Sequence, residues 1–292
     1  MQPHEVENMI NTIHDLLIAN RKANDEHREL LIHREIERFR SAPQYDNPKS
    51  LMRYGRKIYS QIDEDGIINE IFKRIGTTNK TFIEFGVGNG LANNTAALLL
   101  QGWSGLWIEA SGNHVKSIKK NLCHIAERGS LHVVEAFITR GNINSLISAH
   151  IDMPDIDLLS VDIDGNDFHV LNAITCVTPR VMVLEYNAKF APPVAYCMDY
   201  DESHTWQGDD CFGASLTFLE KNLPNYRLVG CNISGVNAFF VRKDLVGELF
   251  LEPFTAEFHY VPARYYLIPI ASGHKAAYKT LNSAQPIGSP IS

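Results

Sequence analysis

The chain has 292 residues, 45% of them hydrophobic, and a formal net charge of −7, enough to bury one large core with appendages. No apolar run approaches the roughly 20 residues a membrane span needs, and the N-terminus lacks a basic segment followed by an apolar one, so a place in the cytoplasm is expected. The acidic balance opposes nucleic acid as a partner, because phosphate recognition needs concentrated Lys and Arg, and the scattered Cys123, Cys176, Cys197, Cys211 and Cys231 have no paired spacing and read as reduced thiols.

Val6, Met9, Ile10, Ile13, Leu16 and Leu17 fall at helical spacing, and the pattern resumes with Leu30, Leu31, Ile32, Ile36 and Phe39 amid charges. Residues 1–50 are therefore expected to form a helical appendage whose apolar faces admit a homodimer. Ser41 to Ser50, with Pro43, Asn47 and Pro48, is a turn-rich connector, after which Ile67, Ile68, Ile71, Phe72 and Ile75 mark a helix ended by Gly76. The main domain is expected over 51–245.

From Thr81 onward the pattern alternates: strand 81–85, helix 91–101, strand 105–109, helix 113–128, strand 131–135, helix 142–150, strand 156–162, helix 166–174 and strand 180–185. Such alternation requires a parallel sheet covered on both faces. Leu216 to Leu223 suits one more helix, and Tyr226 to Cys231 and Val236 to Val241, around a short Asn-Ile-Ser-Gly turn, suit a closing hairpin. The expected fold is α/β, a doubly wound, seven-stranded, mostly parallel sheet with a closing antiparallel hairpin and N-terminal helices. Residues 246–292 form an aromatic-rich C-terminal extension, read as packing on the sheet or a neighbouring subunit in preference to a substrate lid.

One run is more informative than the rest. Thr81-Phe82-Ile83-Glu84-Phe85-Gly86-Val87-Gly88-Asn89-Gly90 is an apolar strand that delivers an acid and alternate glycines to a strand's carboxyl end, where backbone can approach a ligand closely. A dinucleotide fingerprint wants glycine at position 91, where Leu91 stands, which argues against a nicotinamide cofactor. The run is similar to the first motif of class I S-adenosylmethionine-dependent methyltransferases, acidic-x-Gly-x-Gly-x-Gly. Upstream, Ser60-Gln61-Ile62-Asp63-Glu64-Asp65-Gly66 resembles the Ser-Gln-x-x-Glu-Asp-Gly element of FkbM-like methyltransferases. The resemblance implies a Rossmann-like methyltransferase fold, S-adenosylmethionine as cofactor and a small-molecule acceptor.

On that reading Glu84, Gly86, Gly88 and Gly90 cradle the cofactor. Glu109, about twenty residues past the glycines at the end of the second strand, accepts both ribose hydroxyls. Ala136 and Phe137, after the third strand, contact adenine in the methyltransferase pattern, though Phe137 suits a core position equally. Asn94 and Thr95, at the start of the following helix, offer amide, hydroxyl and free backbone N–H groups to the methionine carboxylate. Gln61 is a further cofactor or acceptor contact, whereas Asp63 and Asp65 are as well explained as helix caps.

The fourth strand ends in Asp162-Ile163-Asp164 and the fifth leads into Glu185-Tyr186-Asn187, so adjacent strands aim oxygen ligands at one place. Asp162, Asp164, Glu185 and Asn187 suit Mg²⁺ or another hard divalent cation, and the set resembles that of metal-dependent O-methyltransferases, except that Tyr186 separates Glu185 from Asn187. Without a metal, Asp162 would hold the methionine amino group and Asp164 or Asp167 would cap the next helix. The insertion Ala188 to Phe212 supplies His204 as a base, which with Asp162 and Asp164 makes the candidate catalytic set. The expected reaction is O-methylation of a sugar, glycan precursor or secondary-metabolite hydroxyl. N-methylation of a small amine, an NAD-dependent sugar oxidoreductase and an inactive scaffold are the alternatives.

Overall fold

The computed structural model describes residues 2–268 and 273–282. Helix α1 (Pro3–Arg40) leads through short 3-10 turns at Pro43–Tyr45 and Leu51–Tyr54 to α2 (Glu64–Ile75). The βα units follow as β1 (Thr81–Phe85), α3 (Ala96–Leu99), β2 (Ser104–Glu109), α4 (Gly112–Asn121), α5 (Cys123–Glu127), β3 (Leu131–Glu135), α6 (Ile143–Ser148), β4 (Asp155–Val161), α7 (Asp167–Ala173) and β5 (Thr178–Glu185). Then come α8 (Leu216–Asn222), β6 (Tyr226–Cys231), β7 (Asn237–Arg242), α9 (Lys243–Val246), α10 (Ala256–His259), a 3-10 turn at Tyr265–Leu267 and α11 (Tyr278–Asn282).

The seven strands form one sheet in the order β3-β2-β1-β4-β5-β7-β6. β1 to β5 run parallel, and β7 inserts antiparallel between β5 and β6. The pattern of side chains explains why. Ile83, Phe85, Ile108, Leu159, Val161 and Met182 pack into one core cluster, while Phe82, Trp107, Leu158, Val181 and Val183 pack into the other, so alternate residues of each strand are apolar on both faces. Only a sheet covered on both sides can bury such strands. From β1 the chain winds outward to β2 and β3, then returns across β1 to β4. That reversal opens a crevice at the carboxyl ends of β1 and β4.

Three expectations for the helices need correction. The two apolar runs of the first forty residues are joined in one helix, α1, of 38 residues, because the intervening Arg21 to Glu29 stretch is rich in strong helix formers. The helix expected over 91–101 shrinks to Ala96–Leu99, since Asn93, Asn94 and Thr95 bind a buried carboxylate instead of starting a helix. The helix over 113–128 breaks at Leu122 into α4 and α5. The C-terminal extension packs on the domain: Leu281 is fully buried and the Tyr278 hydroxyl donates to the Asn89 carbonyl at 2.6 Å. The Gly-, Ser- and Pro-rich end of the sequence lies outside the described residues.

The Ser60–Gly66 element is a structural clamp. Asp65 Oδ2 accepts the backbone N–H groups of Ile58, Tyr59 and Ser60. Glu64 Oε1 accepts from the Asn232 and Asn237 amides across the β6–β7 turn, and Asp63 Oδ1 accepts from Ile233 N–H. Asp63 stands at the α2 N-cap position but makes no side-chain cap bond. The three acids hold this loop against the hairpin, and Gln61 is left facing the crevice.

Burial, reinforced by the charge of Glu64 and partly offset by Arg40, pushes the Asp63 carboxyl up to about 7. In the unfolded chain Asp63 ionises near 3.8, so between these values the folded state binds more protons, and stability falls as pH rises. Above about pH 7 the loss is complete. The variant Asp63→Asn should therefore melt about 2–4 °C higher than wild type at pH 8, for a gain on the order of 1 kcal/mol, with the gap closing toward pH 4. A gap that does not change with pH in scanning calorimetry would refute the assignment.

Candidate functional site

Glu84 ends up beneath the glycine loop, only 3% exposed. Its carboxylate accepts from Asn93 Nδ2 at 2.7 Å, from the backbone N–H groups of Asn94 and Thr95, and from the Thr95 hydroxyl. Thr95 in turn accepts from the Trp107 indole, and Asn94 Nδ2 donates to Ser160. The amide-rich stretch thus satisfies a buried acid on the preceding strand. Gly86 has φ +72°, and a Cβ there would stand 1.7 Å from the Asp162 carbonyl, so only glycine lets the ends of β1 and β4 close up. Gly90, at φ +74°, lies against Trp107.

A cavity of about 960 Å³ opens over the strand ends at the switch point. The expected residues Gln61, Gly86, Gly88, Glu109, Ala136, Phe137, Asp162, Asp164, Glu185, Asn187 and His204 line it, whereas Glu84, Gly90, Asn94 and Thr95 do not. The last four support the loop from behind.

Glu109 is held in place before any ligand arrives. Oε2 accepts Gly88 N–H at 2.8 Å and Oε1 accepts Ser111 N–H at 2.8 Å. A carboxylate has about four lone-pair sites, so two remain for hydroxyl donors. Phe137 is 47% exposed at the wall of this cavity, which rules out the core reading and leaves a ring face free for stacking. These groups follow β1, β2 and β3 and define one side of the crevice.

The other side, beyond β4 and β5, is acidic. Oxygens of Asp162, Asp164 and Glu185 lie within 4.8 Å of one another. Burial, then the charges of Asp167, Asp164 and Glu84, raises the Asp162 carboxyl well above the usual carboxylate range. Burial and the charge of Asp162 do the same for Glu185. The two carboxyls act on each other, the contact lowering Asp162 and raising Glu185, and Glu185 Oε2 is buried without a partner among the described residues. Such an arrangement suits a cation. Asp164 adopts φ +54°, rare for a residue with a Cβ, and burial raises its carboxyl, with Glu109 adding to the effect and His204 opposing it.

Asn187 lines the same cavity and also anchors the 188–212 insertion: its amide nitrogen donates to the Asp210 and Phe212 carbonyls, and Oδ1 accepts Lys189 N–H. Asn166 fastens the same insertion through the Asp201 carbonyl at 2.6 Å, and Asp167 braces the turn by accepting from Ile163 and Gly165. Gly165 gives His204 its room, since a Cβ there would come within 2.3 Å of the ring. His204 Nε2 is buried with no hydrogen-bond partner. Trp206 and the Lys189–Asp210 ion pair add to the wall.

Residues not anticipated also face the cavity. His114, Phe212 and Val236 do so, as do Ala263, Tyr265 and Ile268 from the C-terminal extension. The extension therefore helps enclose the site in addition to packing on the domain. Its aromatic richness was the available signal.

No protein-family model matches the sequence, and no curated protein matches it. Among solved structures, a candidate caffeoyl-CoA O-methyltransferase from Staphylococcus aureus is 12% identical, with 60% of this chain and 81% of that one covered at a TM-score of 0.41. A candidate O-methyltransferase from Klebsiella pneumoniae is 18% identical over 59% and 76% of the two chains, TM-score 0.39. The N-terminal domain of EvdMO1 with SAH bound is 13% identical over 61% and 79%, TM-score 0.35. Likeness this distant carries no inference about the reaction.

Proposed function

We propose that the protein is an S-adenosylmethionine-dependent methyltransferase acting on a hydroxyl of a small molecule such as a sugar, glycan precursor or secondary metabolite. The observation that carries this reading is the Glu109 carboxylate, fixed to Gly88 N–H at 2.8 Å and lining the switch-point cavity with two acceptor sites unused. Ribose hydroxyls would donate to Glu109, and adenine would stack on Phe137 beside Ala136. The cofactor supplies an electrophilic methyl group on a sulfonium.

On the acidic side, the partnerless Glu185 Oε2 and the mutual charge of Asp162 and Glu185 fit a hard divalent cation held by Asp162, Asp164 and Glu185. Such a cation lowers the pKa of a bound hydroxyl. On this reading His204 would take the acceptor proton at Nε2, with Asp164 beside it to stabilise the imidazolium. Gln61, Trp206, Tyr265 and the Lys189–Asp210 pair would orient the acceptor and exclude water. The test is formation of S-adenosylhomocysteine from S-adenosylmethionine with vicinal diols, catechols and small amines as acceptors, in Mg²⁺ and in EDTA. Turnover with hydroxyl acceptors that falls in EDTA is the expected result. Turnover with amines alone, indifferent to EDTA, would replace O-methylation by N-methylation.

A further inference from the structure

Helix α1 is about 57 Å long by its rise per residue, yet among the described residues only its last third touches the body. Ile32 and Ile36 are its buried residues, Arg264 lies over the Phe39 ring, and Arg40 approaches Asp63. The preceding turns stand in solvent. Even so, Met9, Ile10, Ile13, Leu16 and Leu17 are 51–64% exposed. At 100° per residue these side chains and Val6 share an arc of about 120°, the width of a stripe that packs on another helix. Asn20, Asn24 and His27 interrupt the same arc in polar form before Leu31, 50% exposed, resumes it, so the continuous apolar stripe is residues 6–17.

We infer that this segment pairs with the same segment of a second copy, antiparallel and centred on Ile13. In that register Ile13 meets its own counterpart, Met9 meets Leu16, and Ile10 meets Leu17, so every large apolar residue of the stripe finds another. Charge selects the direction. Glu7 and Arg21 lie on the same flank of the stripe, and antiparallel pairing sets Glu7 of each copy beside Arg21 of the other. Parallel pairing would carry the Glu7 and Arg21 flanks of the two copies to opposite sides of the seam, so the ion pairs could not form.

The area is sufficient. Five large side chains, each exposing more than half its surface, offer on the order of 600 Å² per copy, which passes the roughly 1,000 Å² total expected of a specific interface. A membrane surface is the poorer occupant, since Glu5, Glu7 and Asp15 surround the stripe where a lipid-binding helix carries Lys and Arg. Unpaired, so long a run of helix in water would be marginal.

The test is sedimentation equilibrium of the full chain at micromolar concentration. The wild-type chain is expected as a dimer, and Ile13→Glu/Leu17→Glu as a monomer with association weakened about 100-fold or more. Glu7→Arg alone should weaken the dimer, and Glu7→Arg/Arg21→Glu should restore it, an outcome that loss of folding cannot mimic. A monomeric wild-type chain, a dimer indifferent to Ile13→Glu/Leu17→Glu, or a charge swap that fails to restore association would each overturn the inference.

Discussion

Replacing Glu109 with alanine should weaken S-adenosylmethionine binding on the order of 100-fold, with little change in melting temperature. Hydrogen bonds to a charged group are worth about 1.5–3 kcal/mol each, and two ribose hydroxyls would lose theirs together. The substitution also frees Gly88 N–H, which Glu109 Oε2 now holds at 2.8 Å, so the glycine loop would lose its tie to β2. Glu109→Gln keeps one acceptor oxygen and should fall between wild type and alanine. Equilibrium dialysis with labelled cofactor checks both variants. Alanine binding as tightly as wild type would remove Glu109 from the nucleoside site.

Glu185→Gln should reduce turnover at least about 100-fold, because a hard cation at this site would supply several kcal/mol of charge stabilisation. The same change should raise the melting temperature of the ligand-free protein at pH 8. Burial and mutual charge raise both Asp162 and Glu185 above the carboxylate range. A carboxyl with a raised folded-state pKa is destabilising once pH climbs through that value, so removing one of the pair relieves the strain of two adjacent anions. Mg²⁺ should stabilise the wild-type protein and leave Glu185→Gln and Asp162→Asn where they were. Thermal melts in Mg²⁺ and EDTA decide the matter without any acceptor. If Mg²⁺ does not shift the wild-type melt, the three acids hold no divalent cation, and the pair is left as a partner for the cofactor's ammonium group.

The sheet was legible because its strands are buried on both faces, which forces apolar runs of strand length such as Ile156 to Val161 between helical patterns. The βα alternation alone puts Glu109, Asp162 and Glu185 at the carboxyl ends of parallel strands, hence at one edge of the sheet. Helix boundaries were less legible, since a buried acid on β1 captured Asn93, Asn94 and Thr95 and delayed α3 to Ala96. Polar residues nine to eleven positions after an acid look like ligand contacts until the acid's own burial is known. The anchoring role of Asn187 was not legible, because its partners Asp210 and Phe212 lie across an irregular insertion with no period to read. The contribution of Ala263, Tyr265 and Ile268 was hidden for a different reason: it depends on where the chain travels after the last strand.

The measurement closest to the central claim is a calorimetric titration of the purified chain with S-adenosylhomocysteine, S-adenosylmethionine and NAD. Binding of both sulfur ligands with micromolar affinity, about −8 kcal/mol, and no heat from NAD is the predicted result. Binding of NAD alone, or of none of the three, would contradict the assignment of the β1–β4 crevice to S-adenosylmethionine.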